Sequence, residues 1–507
     1  MSSQTSIITS AVHTGNTLVD LETDTTTTVN GAVANAHAIA GDYKKTPVSQ
    51  KVLFLQNIAA EITAAGPSLI PVTQKETFLP VARLEGELIR TTKQITLFAE
   101  LLKEGSWVRA VIDVKENPAV DVRQVQVPLG VVAVFGASNF PFAFSVAGGD
   151  TVSALAAGCP VVHKGHPAHP QTAAVIAECI KRAAEKSGMP EHVFTMVTGD
   201  GYETGLQLVK HPLVSAVAFT GSFKGGKALY DAAAKRDKPI PVYAEMGSVN
   251  PVFILPRALQ QNGYDIATKL IASNLQGTGQ FCTNPGIVVL PPLHDAGQFL
   301  ETSAQLISAS KGGIMLTGNI HASYAAGVKK LLNSKTVTFK AAGIHTGEEH
   351  AATPHLFVTN ADEFLNDHNL QEEVFGPSSL FVETDDKASL YNIAAGLQGQ
   401  LTATVWGTEE DLKEYADLIP ILEDKAGRLL INGVPTGVEV TAAMVHGGPY
   451  PATTDSRSTS VGTDAIYRFT RPVCYQSFPQ FLLPDALKDA NPLGIVRMKN
   501  GQIESNK

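Results

Sequence analysis

Cys282 sits in Gln276-Gly277-Thr278-Gly279-Gln280-Phe281-Cys282-Thr283, a small, glycine-rich setting that can leave a sulfur open to a carbonyl carbon. The thiolate is the nucleophile, and free Cys is only a few per cent ionised at neutral pH, so the fold has to supply activation. An isolated Cys is also a small buried hydrophobe, and its meaning depends on company. Glu245, in Ala244-Glu245-Met246-Gly247-Ser248, follows an apolar stretch. There a carboxylate would be partly buried, its pKa raised toward neutrality as suits a general base. Asn139, in Ser138-Asn139-Phe140-Pro141, ends another apolar run. Its amide could steady a developing oxyanion or simply form a turn.

A glycine-rich dinucleotide fingerprint is missing, since no GxGxxG follows a strand pattern. Phe219-Thr220-Gly221-Ser222-Phe223-Lys224-Gly225-Gly226 links a strand to a helix instead, and can present backbone N–H groups to a pyrophosphate or be an ordinary turn. His163, His166 and His169 recur every third residue. Pro167 and Pro170 prevent a helix that would stack the three rings, and no acidic residue accompanies them, so no metal site is expected. Lys164, beside them at a strand end, is suited to a ribose hydroxyl or a phosphate.

The elements that must hold these residues alternate. From Gly130 onward, Val131–Phe135, Pro160–Val162, Val193–Val197, Ala216–Phe219 and Pro241–Ala244 read as strands. Helical patterns at Ser145–Ala157, Gln171–Lys186, Tyr202–Lys210 and Lys224–Lys235 lie between them. The alternation predicts a parallel sheet with helices on both faces. A second series follows, with helices at Asp265–Leu275, Ala296–Ser308 and Ser323–Leu332 and a strand at Gly286–Leu290. Cys282 falls between the helix and strand that open this second α/β unit, where a cleft is expected. Earlier, Ser49–Ala65 and Lys93–Lys103 read as helices; after Tyr467, prolines at 472, 479 and 484 predict an extended or irregular tail.

At 507 residues the chain exceeds one ordinary core, and about 150 residues per domain suggests roughly three units. A net charge of −9 lacks the positive footprint of a nucleic-acid or anionic-membrane binder. Four Cys without a CxxC pair point to free thiols in a reducing, cytoplasmic compartment. Neither a secretory leader nor an apolar run long enough for a membrane span is evident, and the Thr-rich stretch Thr23–Val29 reads as an edge strand or linker.

Together these stretches resemble the aldehyde dehydrogenase superfamily, whose motifs match in order. They are Ser138-Asn139-Phe140-Pro141, Lys164, Phe219-Thr220-Gly221-Ser222, Glu245, Gly279-Gln280-Phe281-Cys282 and Glu372-Glu373-Val374-Phe375-Gly376-Pro377. The strings from Phe135 to Ser145, Gly247 to Phe253 and His446 to Pro451 are similar to its α-ketoglutaric semialdehyde dehydrogenase branch. The resemblance implies two Rossmann-like α/β domains plus an oligomerisation hairpin and tail. The cofactor-binding domain would take residues 1–116 and 128–247, the thiol domain 248–445, and the oligomerisation segments 117–127 and 463–507.

It further implies that Cys282 attacks an aldehyde while Asn139 and the Cys282 backbone N–H hold the oxyanion. Glu245 would activate the water that hydrolyses the resulting thioester. Lys164, Phe219, Gly221 and Ser222 would contact the adenosine ribose and pyrophosphate side of the cofactor, and Glu373 and Phe375 the nicotinamide side. The expected substrate is the ω-semialdehyde of 2-oxoglutarate. Fatty aldehyde, CoA-acylating and non-catalytic relatives are the alternatives, and Glu245 argues against the CoA-acylating one. Many members carry a carboxylate three residues after the strand lysine; Pro167 stands here, which implies that NADP is accepted alongside NAD. Ser138 replaces the usual Trp, Arg90 and Arg457 are candidates for a distal carboxylate, and His446 matches a residue that approaches the thiol in a fatty aldehyde relative or serves its loop. A homodimer or homotetramer is expected.

Overall fold

The computed structural model describes residues 11–14, 17–20, 28–116, 119–199 and 201–504. Most of the Thr-rich stretch and the hairpin start at Asn117 lie outside them. The first parallel sheet has five strands in the order Phe194–Val197, Val161–Lys164, Val131–Phe135, Val214–Thr220, Val242–Glu245. Its central strand is buried on both faces. Val132 and Val134 join one apolar cluster with helices α2 (Val48–Thr77), α3 (Val81–Glu104), α4 (Gly149–Ala157) and α5 (Pro170–Lys186). Val131, Ala133 and Phe135 join another with α1 (Val29–Lys45), α6 (Gly201–Lys210) and α7 (Phe223–Ala234). Period-two alternation thus feeds two cores, and explains why the strand reads as an unbroken apolar run.

The chain crosses from Val131–Phe135 to one side of this sheet and then resumes on the other at Val214–Thr220. That reversal opens a crevice at the carboxyl ends of the strands. The second sheet has seven strands, in the order Thr338–Ala342, His355–Asn360, Ser378–Glu383, Ile287–Leu290, Val252–Ile254, Gln400–Trp406, Ala426–Ile431, with only the first pairing antiparallel. A third sheet joins Thr470–Gln476, Val120–Pro128, Val111–Lys115, Arg497–Lys499 and Gln502–Glu504. It places Val111–Lys115 with the hairpin and the tail, and Thr470–Gln476 forms one edge.

Several elements differ from the sequence expectation, among them α3, which starts at Val81 rather than Lys93. α2 runs to Thr77 although Pro67 and Pro71 each remove an amide donor. Its buried face, with Phe54, Leu55, Ile58, Ile62 and Leu69, packs against α3 and α5, and tertiary burial outweighs the local penalty. α1 was not foreseen; Thr28 caps it by accepting from the Gly31 N–H.

Candidate active site

Helix α8 (Pro256–Leu275) stops at a tight turn in which Gly277, Thr278 and Gly279 all have positive φ, 57°, 59° and 65°. A Cβ at Gly279 would overlap the Gly376 carbonyl, so only glycine allows this loop to seat on the segment that carries Glu373 and Phe375. The loop is pinned from two more directions. Asn250 Nδ2 donates to the carbonyls of Cys282 at 2.8 Å and Asn284 at 2.9 Å, and Asn139 Nδ2 donates to the Gln280 carbonyl at 3.0 Å. One N–H of the Asn139 amide is therefore used two residues from the sulfur, and the amide has a second.

Cys282 is half-buried, and its Sγ lies 3.3 Å from His446 Nε2. The same nitrogen is 2.9 Å from Glu245 Oε1. Glu245 ends its strand, and its other oxygen accepts from Ser460 Oγ at 2.7 Å. The His446 backbone is fixed in turn, its N–H donating to Thr459 Oγ1 at 2.8 Å and its carbonyl accepting from the Ser460 N–H at 2.8 Å. Three segments far apart in the chain thus converge on one thiol, one imidazole nitrogen and one carboxylate.

The charges here correct one expectation. Burial opposes ionisation of Glu245, but the His446 charge and hydrogen bonds from His446, Ser460 and Cys282 outweigh it and hold the carboxyl below its ordinary value rather than raising it toward neutrality. The Cys282 thiol is pushed well above its usual range by burial first and by the Glu245 charge second, with Arg90 opposing. At neutral pH the resting pair is a thiol beside a carboxylate.

Cys282 also lines a cavity of ≈ 240 Å³ together with Arg83, Glu87, Arg90, Phe140, Phe281 and Val438. Arg83, Glu87 and Arg90 stand at i, i+4 and i+7 and so share one face of α3. The Arg83 guanidinium lies 4.9 Å from the Phe140 ring and 4.8 Å from the Phe281 ring, and that of Arg90 lies 4.9 Å from Phe144. Arg83 Nη2 donates to the Asn139 carbonyl at 2.6 Å, and Arg90 donates through Nε and Nη2 to the Val438 carbonyl at 3.2 Å. In each, a buried Nη1 has no hydrogen-bond partner among the described residues. Arg457, the other candidate for a distal carboxylate, is exposed and bonded to Asp455.

At the carboxyl ends of the first sheet's strands, buried Lys164 ends its strand beside Phe135 and Val197. Phe219 is half-buried next to Gly221, where a Cβ would come within 2.7 Å of its Cζ. Ser222 is the N-cap of α7, its hydroxyl accepting from the Gly225 N–H at 3.2 Å. Glu373 and Phe375 line a small cavity of ≈ 30 Å³ with Ser248 and Gly279. Glu373 reaches into space that a side chain at Gly247 would fill. Loss of hydration pushes its carboxyl up to about 8 against a hydrogen bond from the Ser248 N–H. A helix N-terminus at a strand-order reversal, with a lysine at a neighbouring strand end, fits a dinucleotide. Burial together with neighbouring cations pushes His163 and His166 down to about 3, so both are neutral side chains of this wall.

Arg83, Asn250 and Ser460 were not singled out from the sequence. The i, i+4, i+7 spacing on α3 was the available signal for Arg83, and Asn250 stands inside a string already noted for its resemblance.

The aldehyde dehydrogenase family model matches residues 1–470. The chain is 47% identical over 484 residues to an alpha-ketoglutaric semialdehyde dehydrogenase of Acinetobacter baylyi, covering 94% of this chain and 92% of that one. It is also 47% identical over 467 residues to alpha-ketoglutaric semialdehyde dehydrogenase 2 of Azospirillum brasilense, covering 91% and 89%. Among solved structures, a glyceraldehyde-3-phosphate dehydrogenase from Methanocaldococcus jannaschii superposes with a TM-score of 0.76 at 20% identity, over 88% of this chain and 93% of that one. A 1-pyrroline-5-carboxylate dehydrogenase does so with 0.76 at 21%, over 89% and 85%. The structural likeness carries the fold; with the family match and the two relatives at 47%, it follows that the chain belongs to the aldehyde dehydrogenase family, whose members oxidise aldehydes with NAD(P).

Proposed function

We propose that the protein oxidises the ω-semialdehyde of 2-oxoglutarate to 2-oxoglutarate, and that it accepts NADP as well as NAD. The observation that carries the substrate is the pair of guanidiniums, Arg83 and Arg90, each with an unpartnered Nη1, on the wall of the cavity that Cys282 lines. A cationic, multi-donor wall suits the carboxylate end of a short oxo-acid and disfavours a long alkyl chain. The relatives named above are 47% identical and carry that activity in their names.

In this reading the Cys282 proton leaves to solvent through the cavity that the residue lines, and the sulfur adds to the aldehyde carbon. The second N–H of Asn139 and the Cys282 backbone N–H hold the oxyanion. A nicotinamide cofactor, when bound, would supply the acceptor for the hydride that this carbon gives up. Lys164, the α7 N-terminus after Ser222, and Glu373 with Phe375 are the residues that would hold it. Glu245, kept ionised by His446 and Ser460, then takes a proton from water as the water attacks the thioester, and the acid leaves.

Pro167 leaves no acidic side chain at the position that repels a 2′-phosphate in many relatives, and this supports NADP use. Four free thiols support a cytoplasmic location, and the open edge Thr470–Gln476, with exposed Phe478, Phe481 and Leu482 following, supports a homodimer or homotetramer. No helix among the described residues is long and apolar enough to cross a membrane.

The test is a steady-state screen of oxo-acid, short aliphatic and long-chain aldehydes with each cofactor and without CoA. Sustained turnover with highest kcat/KM on the oxo-acid semialdehyde is expected. A preference for long alkyl chains, or a single burst that needs CoA to continue, would overturn the assignment.

A further inference from the structure

We propose that Glu245, Cys282 and His446 also form a zinc site, and that Zn²⁺ bound there holds the enzyme in a reversibly inactive state. Each residue offers one ligand atom, and the three atoms lie within 4.8 Å of one another. The Sγ···Nε2 separation is 3.3 Å and the Nε2···Oε1 separation 2.9 Å. A tetrahedral zinc with Zn–S of about 2.3 Å and Zn–N and Zn–O of about 2.0–2.2 Å has ligand-to-ligand edges of roughly 3.3–3.6 Å. Both separations lie within about half an ångström of those edges, and the third pair lies within 4.8 Å, so small side-chain adjustments suffice.

The ligands are already fixed. Asn250 and Asn139 hold the Cys282 loop, Thr459 and Ser460 hold the His446 backbone, and Ser460 Oγ holds the free oxygen of Glu245. His446 and Glu245 side chains are 1% and 5% exposed, while Cys282 lines a cavity of ≈ 240 Å³, so an ion would enter from the Cys282 side. A thiolate and a carboxylate neutralise the cation, so the buried site carries no net charge once loaded. Arg90 feels both anions and opposes the metal, which sets the affinity below that of an all-cysteine structural site.

On binding, the Cys282 S–H bond breaks, an Sγ–Zn bond forms, and the proton leaves to solvent; nothing is oxidised or reduced. The metal takes the sulfur lone pair that would attack the aldehyde and the carboxylate that would activate water, so both half-reactions stop together. The inhibition depends on the aldehyde-oxidising role proposed above, whereas the binding does not.

The decisive experiment titrates chelator-treated full-length enzyme with Zn²⁺ against a metallochromic indicator. Co²⁺ loading in parallel reads thiolate coordination as a sulfur-to-cobalt charge-transfer band. Expected are one zinc per chain, activity falling in proportion to occupancy and returning with EDTA, and the cobalt band. His446→Ala, checked for native unfolding temperature, should weaken zinc by at least about tenfold, and Cys282→Ser should lose the band. Absence of stoichiometric binding at micromolar free zinc would overturn the proposal, as would binding untouched by either substitution or full activity at full occupancy. An enzyme that oxidises the semialdehyde, loses turnover in Cys282→Ala and binds no zinc would leave the proposed function standing and remove the zinc site alone.

Discussion

Arg90→Met isolates the distal-carboxylate argument. The unbranched thioether keeps much of the stem that packs by Phe144 and removes the guanidinium, including the Nη1 left without a partner. A hydrogen bond to a charged group contributes about 1.5–3 kcal/mol net. At about 1.36 kcal/mol per decade, its loss lowers kcat/KM on the semialdehyde by roughly 10- to 150-fold. Arg83 shares the wall and should keep the single substitution near the low end, with Arg83→Met/Arg90→Met falling further. Arg90 has two other duties. It donates to the Val438 carbonyl, and its charge works against the upward push on the Cys282 thiol. Both affect every substrate alike, so the quantity to measure is the ratio of kcat/KM for the oxo-acid semialdehyde to that for propanal, from initial rates of cofactor reduction. The ratio should fall at least tenfold while unfolding temperature stays near wild type. An equal loss on both aldehydes would assign Arg90 to the thiol or to packing, and no loss on the semialdehyde would refute a carboxylate subsite at this wall.

Glu245→Gln should give a burst of one reduced cofactor per active site followed by turnover slowed by about 10²- to 10⁴-fold, because thioester hydrolysis loses its base. The burst should survive, since removing this carboxylate's charge also relieves the repulsion on the thiol; stopped-flow absorbance separates the phases, and unchanged steady-state turnover would rule the base out. The Glu373 carboxyl, pushed up to about 8, offers one fully accepting oxygen when protonated and two when ionised, so it holds ribose hydroxyls better above that value. The KM for cofactor should therefore fall as pH rises through about 8 in the wild type and stay flat in Glu373→Gln; parallel pH profiles would exclude Glu373 from cofactor binding. Pro167→Glu should shift the NADP-to-NAD ratio of kcat/KM toward NAD by about tenfold or more through like-charge repulsion, and an unaltered ratio would place the 2′-phosphate elsewhere.

What the sequence showed and what it hid divide along chain separation. Cys282, Glu245 and Asn139 stand in short local strings at strand or helix ends, so each was visible with its chemistry. Arg83 was within reach through its spacing with Glu87 and Arg90, but spacing alone does not say which way a helix face turns, and that depends on α3 packing with α2 and α4. Local rules end α2 before Gly66-Pro67 because they weigh the missing donors and not the buried face beyond them. The largest gap is His446, 164 positions from Cys282, whose loop and site roles could not be told apart until the two met at 3.3 Å. The same imidazole, 2.9 Å from Glu245, reverses the expected electrostatics of that carboxylate. A buried glutamate considered alone should have a raised pKa, and with His446 and Ser460 beside it this one is lowered instead. The resting site thus has its base ready and its nucleophile still protonated, with the same carboxylate responsible for both conditions. Deprotonation of Cys282 becomes the first event that catalysis must drive. A thiol held above its ordinary range ionises more as pH climbs, so acylation monitored in single turnover should accelerate with rising pH. A rate flat from neutral to alkaline pH would mean that cofactor or substrate supplies the activation before the sulfur moves.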